Sequence, residues 1–352
     1  MTPSEPGRKR WNHWKHMSMP EAGTAPNTLT YREALRQSLQ DVLRNHPDTF
    51  LMGEDVGRYG GAFAVSKGLL AEFGPARIMD VPLSEAAFTG AGIGAAIAGM
   101  HPIVEIMTVN FSLLAFDQVV NNAATLRHMT NGKVKVPLVI RMGCGIGKQL
   151  AAQHSHSWEP LFAHIPGLVV FALSTHTDAR FALKYAIQEP DPVILFEYTS
   201  LLNMEGTVES ESDAATWRKA RVMRTGTDIT LISYGAALHR SLTAAEKLSA
   251  SGISCEVIDL RCLRPLDEDT LTASVRKTHR AMVVEDAWRS LGLGAEVTAR
   301  LQAACFYDLD APILRLAGTE VPIPYPLSLE EACVPQPAGI ENAVLKFMKP
   351  NT

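Results

Sequence analysis

The most constraining feature of the chain is a set of short runs that are apolar from end to end: PLVIRM at 137–142, LVVFA at 168–172 and PVILFEY at 192–198. A strand with one wet face alternates apolar and polar residues, and these do not. With helices between them, such runs belong to a parallel sheet covered on both faces.

The rest of the first half fits that plan. T-Y-R-E at 30–33 has capping-box spacing, with Thr30 as cap and Glu33 reaching back. Leu35, Leu39, Val42 and Leu43 then share one helical face, which stops at Asn45-His46-Pro47-Asp48. Strands are expected at 49–53, 77–80 and 102–106. Helices are expected at 66–73, 85–99, 112–129 and 177–189. The acidic, polar stretch NMEGTVESESDAATWR (203–218) reads as a domain boundary. Beyond it the same style recurs as a second, separate layer. Its strands are DITLISY (228–234), CEVIDL (255–260), AMVVED (281–286) and PILRLAG (312–318), with helices at 236–250, 267–277 and 292–304. The expectation is an α/β protein: a disordered tail at 1–28, a first domain at 29–203, a linker at 204–218 and a smaller domain at 219–352.

Composition removes several function classes. The 352 residues carry 37 acidic and 33 basic side chains, a net charge of −4, which argues against a nucleic-acid partner. Five scattered cysteines with no C-x-x-C pair give neither a disulfide framework nor a zinc knuckle, and fit a reducing, cytoplasmic setting. No membrane span is expected, because the weakly polar run at 86–100 is short and dominated by glycine and alanine. The first 28 residues lack the apolar core of a secretory signal but are basic around Arg8, Lys9 and Arg10. A transit peptide to a mitochondrial matrix or plastid stroma is the alternative to a plain tail.

Two glycine-rich stretches invite nucleotide readings that fail. GCGIGK (143–148) has Met142 in the first glycine position of a P-loop and Gln149 after the lysine, and its glycine spacing misses the dinucleotide fingerprint. It reads as a loop after a strand, near a site. Gly90, Gly94 and Ala98 strip one helix face of side chains, a packing device. Glu85 sits in the first turn of that helix, where a carboxylate is either a helix-dipole partner or something more.

Taken together, S-E-A-A-F-T-G-A-G-I-G (84–94) resembles the Glu-x-x-x-x-Gly-x-x-x-Gly pattern of the pyrimidine-binding domain in thiamine diphosphate enzymes. LMGEDVGRYGGAF (51–63), VEIMTVNFSLLAFDQVVNNAA (104–124), AAQHSHSWEPLFAHIPGL (151–168) and DPVILFEY (191–198) are similar, in order and spacing, to the beta subunits of 2-oxo acid dehydrogenase decarboxylating components, those acting on pyruvate nearest. LRCLRPLDEDTL (260–271), VVEDAWRSLGLGAEV (283–297) and LRLAGTEVPIPYP (314–326) continue the resemblance. The implied fold is a transketolase-type pyrimidine-binding domain followed by a transketolase C-terminal domain.

The resemblance also implies roles. Glu85 would hydrogen-bond the pyrimidine nitrogen of thiamine diphosphate, in a dry setting made by Leu83, Ala86, Ala87 and Phe88. Phe111 would stack on that ring, against the alternative of plain core packing, and Leu83 would wall the pocket. His154 would serve the substrate-derived group; His154 and His156 as metal ligands is the weaker alternative, since no third ligand lies nearby. Glu54 would couple two active sites by exchanging a proton, or is merely a solvated strand-end acid. A structural potassium ion would take oxygens from Leu138, Ala186, Ile187, Glu189 and Asp191. No G-D-G segment occurs in the chain, so Mg2+ and the diphosphate would be held by an alpha subunit in an α2β2 heterotetramer. The second domain would dock to the peripheral subunit-binding domain of a lipoyl acyltransferase core. The implied reaction is oxidative decarboxylation of a 2-oxo acid, pyruvate first, with branched-chain 2-oxo acids and acetoin as alternatives. A non-catalytic scaffold paralogue is the competing class.

Overall fold

The computed structural model describes residues 28–211 and 216–349. Of the expected tail, residues 1–27 lie outside the described residues. Thr28 does not belong to it, because it opens strand β1 (Thr28–Thr30), which pairs antiparallel with Glu205–Thr207.

Helix α1 (Tyr31–Asn45) follows, and the Thr30 hydroxyl caps it by accepting the Glu33 N–H at 3.2 Å. Glu33 does not reach back. Its carboxylate takes Arg36 Nε at 2.9 Å on the same helix face, a charged donor that outcompetes the backbone. Next come β2 (Thr49–Gly53), α2 (Leu69–Phe73), β3 (Ile78–Asp80), α3 (Glu85–Ile97) and β4 (His101–Thr108).

The single helix expected over 112–129 is instead three pieces: a 3-10 turn (Val109–Ala115), a π turn (Gln118–Ala123) and α4 (Ala124–Met129). The burial period explains the break. Val109, Ser112 and Ala115 are buried three residues apart, the repeat of a 3-10 helix, before Val119 and Ala123 restore a four-residue step.

The first sheet is completed by β5 (Val139–Cys144), β6 (Val169–Leu173) and β7 (Val193–Tyr198), with α5 (Glu159–Ala163) and α6 (His176–Ala186) in the crossovers. β8 (Glu205–Thr207) is the partner of β1 and lies within the stretch expected to be linker. The second half holds β9 (Arg221–Arg224), β10 (Ile229–Ser233), α7 (Ala236–Ala250), β11 (Cys255–Asp259), β12 (Cys262–Arg264), α8 (Glu268–Thr278), β13 (Ala281–Trp288), α9 (Leu293–Cys305), β14 (Leu314–Gly318), α10 (Leu327–Ala332) and α11 (Pro337–Met348).

The first sheet has the order β12-β6-β7-β5-β4-β2-β3, and the second β14-β13-β10-β11-β9. All strands of the first sheet are parallel except β12, which runs antiparallel to β6. β12 comes from the second half of the chain, so the two layers are not separate. The second half supplies an edge to the first sheet. β2, β5, β6 and β7 are buried at every position, as their unbroken apolar runs require.

More contacts weld this junction. Arg261 reaches Asp178 (Nη2 to Oδ1, 2.7 Å), Ser174 Oγ donates to Asp259 at 2.8 Å, and the Gly235 N–H returns to Ser174 Oγ at 2.8 Å. Gly235 has φ +59°, and a Cβ there would stand 2.0 Å from the Tyr198 ring. Only glycine lets the first turn of α7 close on β7.

One polar cluster lies inside the first sheet. Arg141 on β5 donates through Nε to Glu197 Oε1 at 2.7 Å and through Nη2 to Glu197 Oε2 at 2.5 Å on β7, and pairs with Glu105 on β4. All three side chains are buried. Removing one member of such a cluster leaves uncompensated buried charge. Arg141→Met is therefore expected to lower stability by about 3–5 kcal/mol, read as a shift of the urea unfolding midpoint; an unchanged midpoint would show the cluster to be dispensable.

Candidate active site

Four neighbouring parallel strands, β3, β2, β4 and β5, end on one edge of the first sheet, and the segment that follows each carries a residue of interest. At the carboxyl ends of parallel strands the chain turns away from the sheet and leaves a crevice. Glu54 follows β2, Glu85 follows β3, Phe111 follows β4, and His154 lies in the segment after β5. β2 and β3 end together, with Gly53 opposite both Asp80 and Glu105, and β4 and β5 run farther, with Thr108 opposite Gly143.

The two carboxyls come first. Glu85 is the first residue of α3 and only 6% exposed, and its carboxyl meets no hydrogen-bond donor among the described residues. The dry wall expected around it is largely missing, because Ala86 and Ala87 are exposed and Leu83 is 82% exposed. Of the four flanking residues only Phe88 is buried. A side chain at the start of a helix faces the neighbouring elements rather than its own sequence neighbours. Here those elements are β4 and the 3-10 turn on which α3 packs.

Glu54 is not a solvated strand-end acid. It is buried, and its Oε1 has no hydrogen-bond partner. Burial, followed by the negative charges of Glu85 and Asp55, pushes its carboxyl up to about 7. The loop that carries it is tied down by Asp80 at the end of β3, which accepts the Gly57 N–H at 2.5 Å and the Arg58 N–H at 3.0 Å.

Phe111 and His154 meet edge to face, their ring centroids 5.3 Å apart at 86°. The residue before Phe111 ties the two segments together, since Asn110 Nδ2 donates to the Ala152 carbonyl at 3.0 Å and to His156 Nδ1 at 2.9 Å. His156 is thus committed to Asn110 rather than to a metal. Among the described residues no group of three or more His, Cys, Asp or Glu side chains is arranged to hold one. The GCGIGK loop lies beside this segment, held by Thr199 Oγ1 on the Gly145 and Ile146 carbonyls and by the Gly145 N–H on the His156 carbonyl.

The residues expected to hold potassium stand at the opposite edge of the sheet, where β5 and β7 begin. Their oxygens already have partners. The Leu138 carbonyl accepts the Val193 N–H at 2.9 Å, that of Ala186 accepts the Glu189 N–H at 3.2 Å, and that of Ile187 faces His101 Nδ1 at 2.7 Å. Glu189 pairs with Arg218, and Asp191 with Arg127. Both carboxylates are paired with arginines, and each of the three carbonyls has one partner.

Sequence reasoning missed Asn110, Trp288 and Glu330. Asn110 adjoins a residue already singled out, so its place was the available signal. Trp288 and Glu330 touch the His154 segment from the second half of the chain, and nothing local in the sequence points there.

The residues present fit the pyrimidine end of thiamine diphosphate: a buried carboxyl without a donor, a second with an orphaned oxygen, and an aromatic ring packed against a histidine. Models of two families match the chain, the transketolase pyrimidine binding domain over residues 27–205 and the transketolase C-terminal domain over 218–340. A pyruvate dehydrogenase E1 component subunit beta of Rhizobium meliloti (strain 1021) is 43% identical over 92% of this chain and 70% of its own length. A mitochondrial subunit beta-2 of Oryza sativa subsp. japonica is 43% identical over 91% of this chain and 86% of its own. The mitochondrial Drosophila melanogaster subunit is 41% identical, over 94% and 92%. Among solved structures, a split-gene transketolase, an inactive beta4 tetramer, superposes with TM-score 0.74 at 20% identity over 90% of this chain and 97% of that one, a likeness of fold. The chain belongs to the family of pyruvate dehydrogenase E1 component beta subunits.

Proposed function

We propose that this chain is the beta half of a 2-oxo acid dehydrogenase decarboxylating component acting on pyruvate, which binds thiamine diphosphate between itself and an alpha subunit and passes the acyl group to lipoyl-lysine. The observation that carries the reading is the buried pair Glu85 and Glu54 at the open end of four parallel strands, beside a leucine left 82% exposed. An apolar side chain so placed at the mouth of a site suits a surface completed by another molecule.

Thiamine diphosphate, when bound, supplies a nucleophilic thiazolium carbon and a sink for the electrons released with carbon dioxide. This chain's part is to hold and orient it. Glu85 offers a buried carboxyl to a ring nitrogen, and Phe111 offers an aromatic ring held perpendicular to that of His154. Leu83 walls the same pocket once a partner covers it. His154 is set to donate or accept a proton at the substrate oxygen, work an imidazole does near neutral pH. Glu54 carries its proton at pH values where an ordinary carboxyl has lost it, which suits proton exchange with the neighbouring acid. With no G-D-G segment in the sequence, Mg2+ and the diphosphate fall to the alpha subunit. In an α2β2 assembly the second domain is the surface left for the acyltransferase core.

Titration calorimetry tests the shared site. Thiamine diphosphate with Mg2+ is expected to bind only after a co-purified alpha-type partner is present; tight binding by this chain alone would refute the reading. In the reconstituted enzyme Glu85→Gln is expected to cut pyruvate decarboxylation by ~10²-fold or more, with an unchanged circular dichroism spectrum.

Glu54 also makes a prediction about stability. Its pKa rises from an ordinary 4.5 to about 7 on folding, so between those values the folded chain holds a proton that the unfolded chain has released. Its contribution is complete below 4.5 and is lost as pH climbs to about 7. Glu54→Gln should flatten that decline, measured as the difference between urea midpoints at the two ends of the window.

A further inference from the structure

We propose that His156 is a positioning residue for His154: as an unprotonated acceptor for Asn110 it closes a latch that fixes the His154 segment against Phe111. The inference rests on the role given to His154 above and names what holds that residue in place.

The protonation state follows from the geometry. Asn110 Nδ2 faces two partners, the Ala152 carbonyl at 3.0 Å and His156 Nδ1 at 2.9 Å. A carbonyl only accepts, so the nitrogen end of the Asn110 amide must point there. Its second hydrogen then goes to Nδ1, which must carry a lone pair. The His156 proton therefore sits on Nε2, which is buried without a partner. His156 lines a small cavity at the domain junction with Ser157, Asp286 and Trp288.

The segment needs a latch. Ala151 and Gln149 both have left-handed backbone, with φ +61° and +53°, which is unfavourable for residues other than glycine. Only a short 3-10 turn, Ala152–His154, separates Ala151 from the end of the segment that carries the ring. Asn110 grips that turn at Ala152 and, through His156, just beyond it. His156 is itself wedged between indoles, stacked on Trp158 at 5.3 Å and 15° and tilted against Trp288 at 5.0 Å and 58°. Trp288 belongs to β13 and is anchored by its Nε1–H on the Val321 carbonyl at 3.2 Å. A second tie joins the same parts of the chain, because Glu330 of α10 accepts the Gln149 N–H at 3.2 Å. The second domain thereby sets the position of a histidine in the first.

Protonation of His156 would place an N–H against the Asn110 N–H and open the latch. The charged and titratable groups around it are few. Asp286 lines the same cavity and is already paired with Arg240, His154 lies two residues away, and the two indoles are neutral. Burial lowers the His156 pKa below its ordinary 6.5, so the latch stays closed near neutral pH and opens in acid. A histidine that merely filled space between two tryptophans would make neither demand.

The test uses the reconstituted enzyme with its alpha partner. His156→Leu fills the space without an acceptor and is expected to lower kcat about tenfold while KM for pyruvate stays within about twofold. His156→Gln restores an acceptor that does not titrate; it should recover most of the lost kcat and shed the acid inflection of the wild-type pH profile. A His156→Leu enzyme with the wild-type kcat and acid limb would overturn the proposal. Independently of turnover, 15N-histidine spectra of this chain at neutral pH should assign His156 as the Nε2–H form, and an Nδ1–H assignment would overturn it as well. If the wild-type enzyme decarboxylates no 2-oxo acid, the functional reading fails on its own, and the spectra still decide the state of His156.

Discussion

Everything at the candidate site depends on the register of four parallel strands. β3 and β2 end side by side and β4 and β5 run on beyond them at the same edge, a fixed offset because their buried residues must lie side by side with no wet face to absorb a slip. Gly53 opposite Asp80 and Glu105 fixes where β2 ends relative to its neighbours. A Cβ at Gly53 would meet the Glu105 carbonyl at 2.7 Å, so the strands can lie this close only with a glycine there. A one-residue slip of β2 would turn Glu54 from the crevice to the opposite face. The Arg141 cluster has the same consequence. Its guanidinium joins carboxylates from strands on either side, which favours a single register for β4, β5 and β7.

That arrangement yields half a site. The acids are deep, but Leu83, Ala86 and Ala87 stand open beside them. A carboxyl as buried as Glu54, with an unpartnered oxygen and a neighbouring negative charge, is costly to keep ionised. The chain meets that cost by holding a proton there. An enzyme complete in one chain would cover the exposed leucine with its own residues. Among the described residues none covers it, which suits the shared site proposed above.

Much of this was legible in the sequence because it is local or periodic. The unbroken apolar runs gave the parallel sheet, and the Thr30 cap and the Asn45–Asp48 stop bounded α1 within a residue. What failed was non-local. The expected helix at 112–129 satisfied an apolar count, but burial in steps of three at Val109, Ser112 and Ala115 depends on what α3 presents to it. β12 is three residues long, and its strand character comes from pairing with β6, some ninety residues earlier in the chain. The dry wall around Glu85 was inferred from chain neighbours, whereas helix geometry sends those neighbours outward.

The least legible feature is the dependence of the first domain on the second. His154 rides on a segment with two left-handed non-glycine residues, a shape that persists only when its surroundings over-determine it. Those surroundings come from residues more than 130 positions away, Trp288 against His156 and Glu330 on the Gln149 N–H. Neither residue lies in a motif that names its task. A small movement of β13 or α10 would nonetheless be felt at the imidazole, because the intervening contacts are a ring stack, an amide bridge and one helical turn with little slack. The second domain is therefore more than a platform for partners. It holds the chemistry of the first in place.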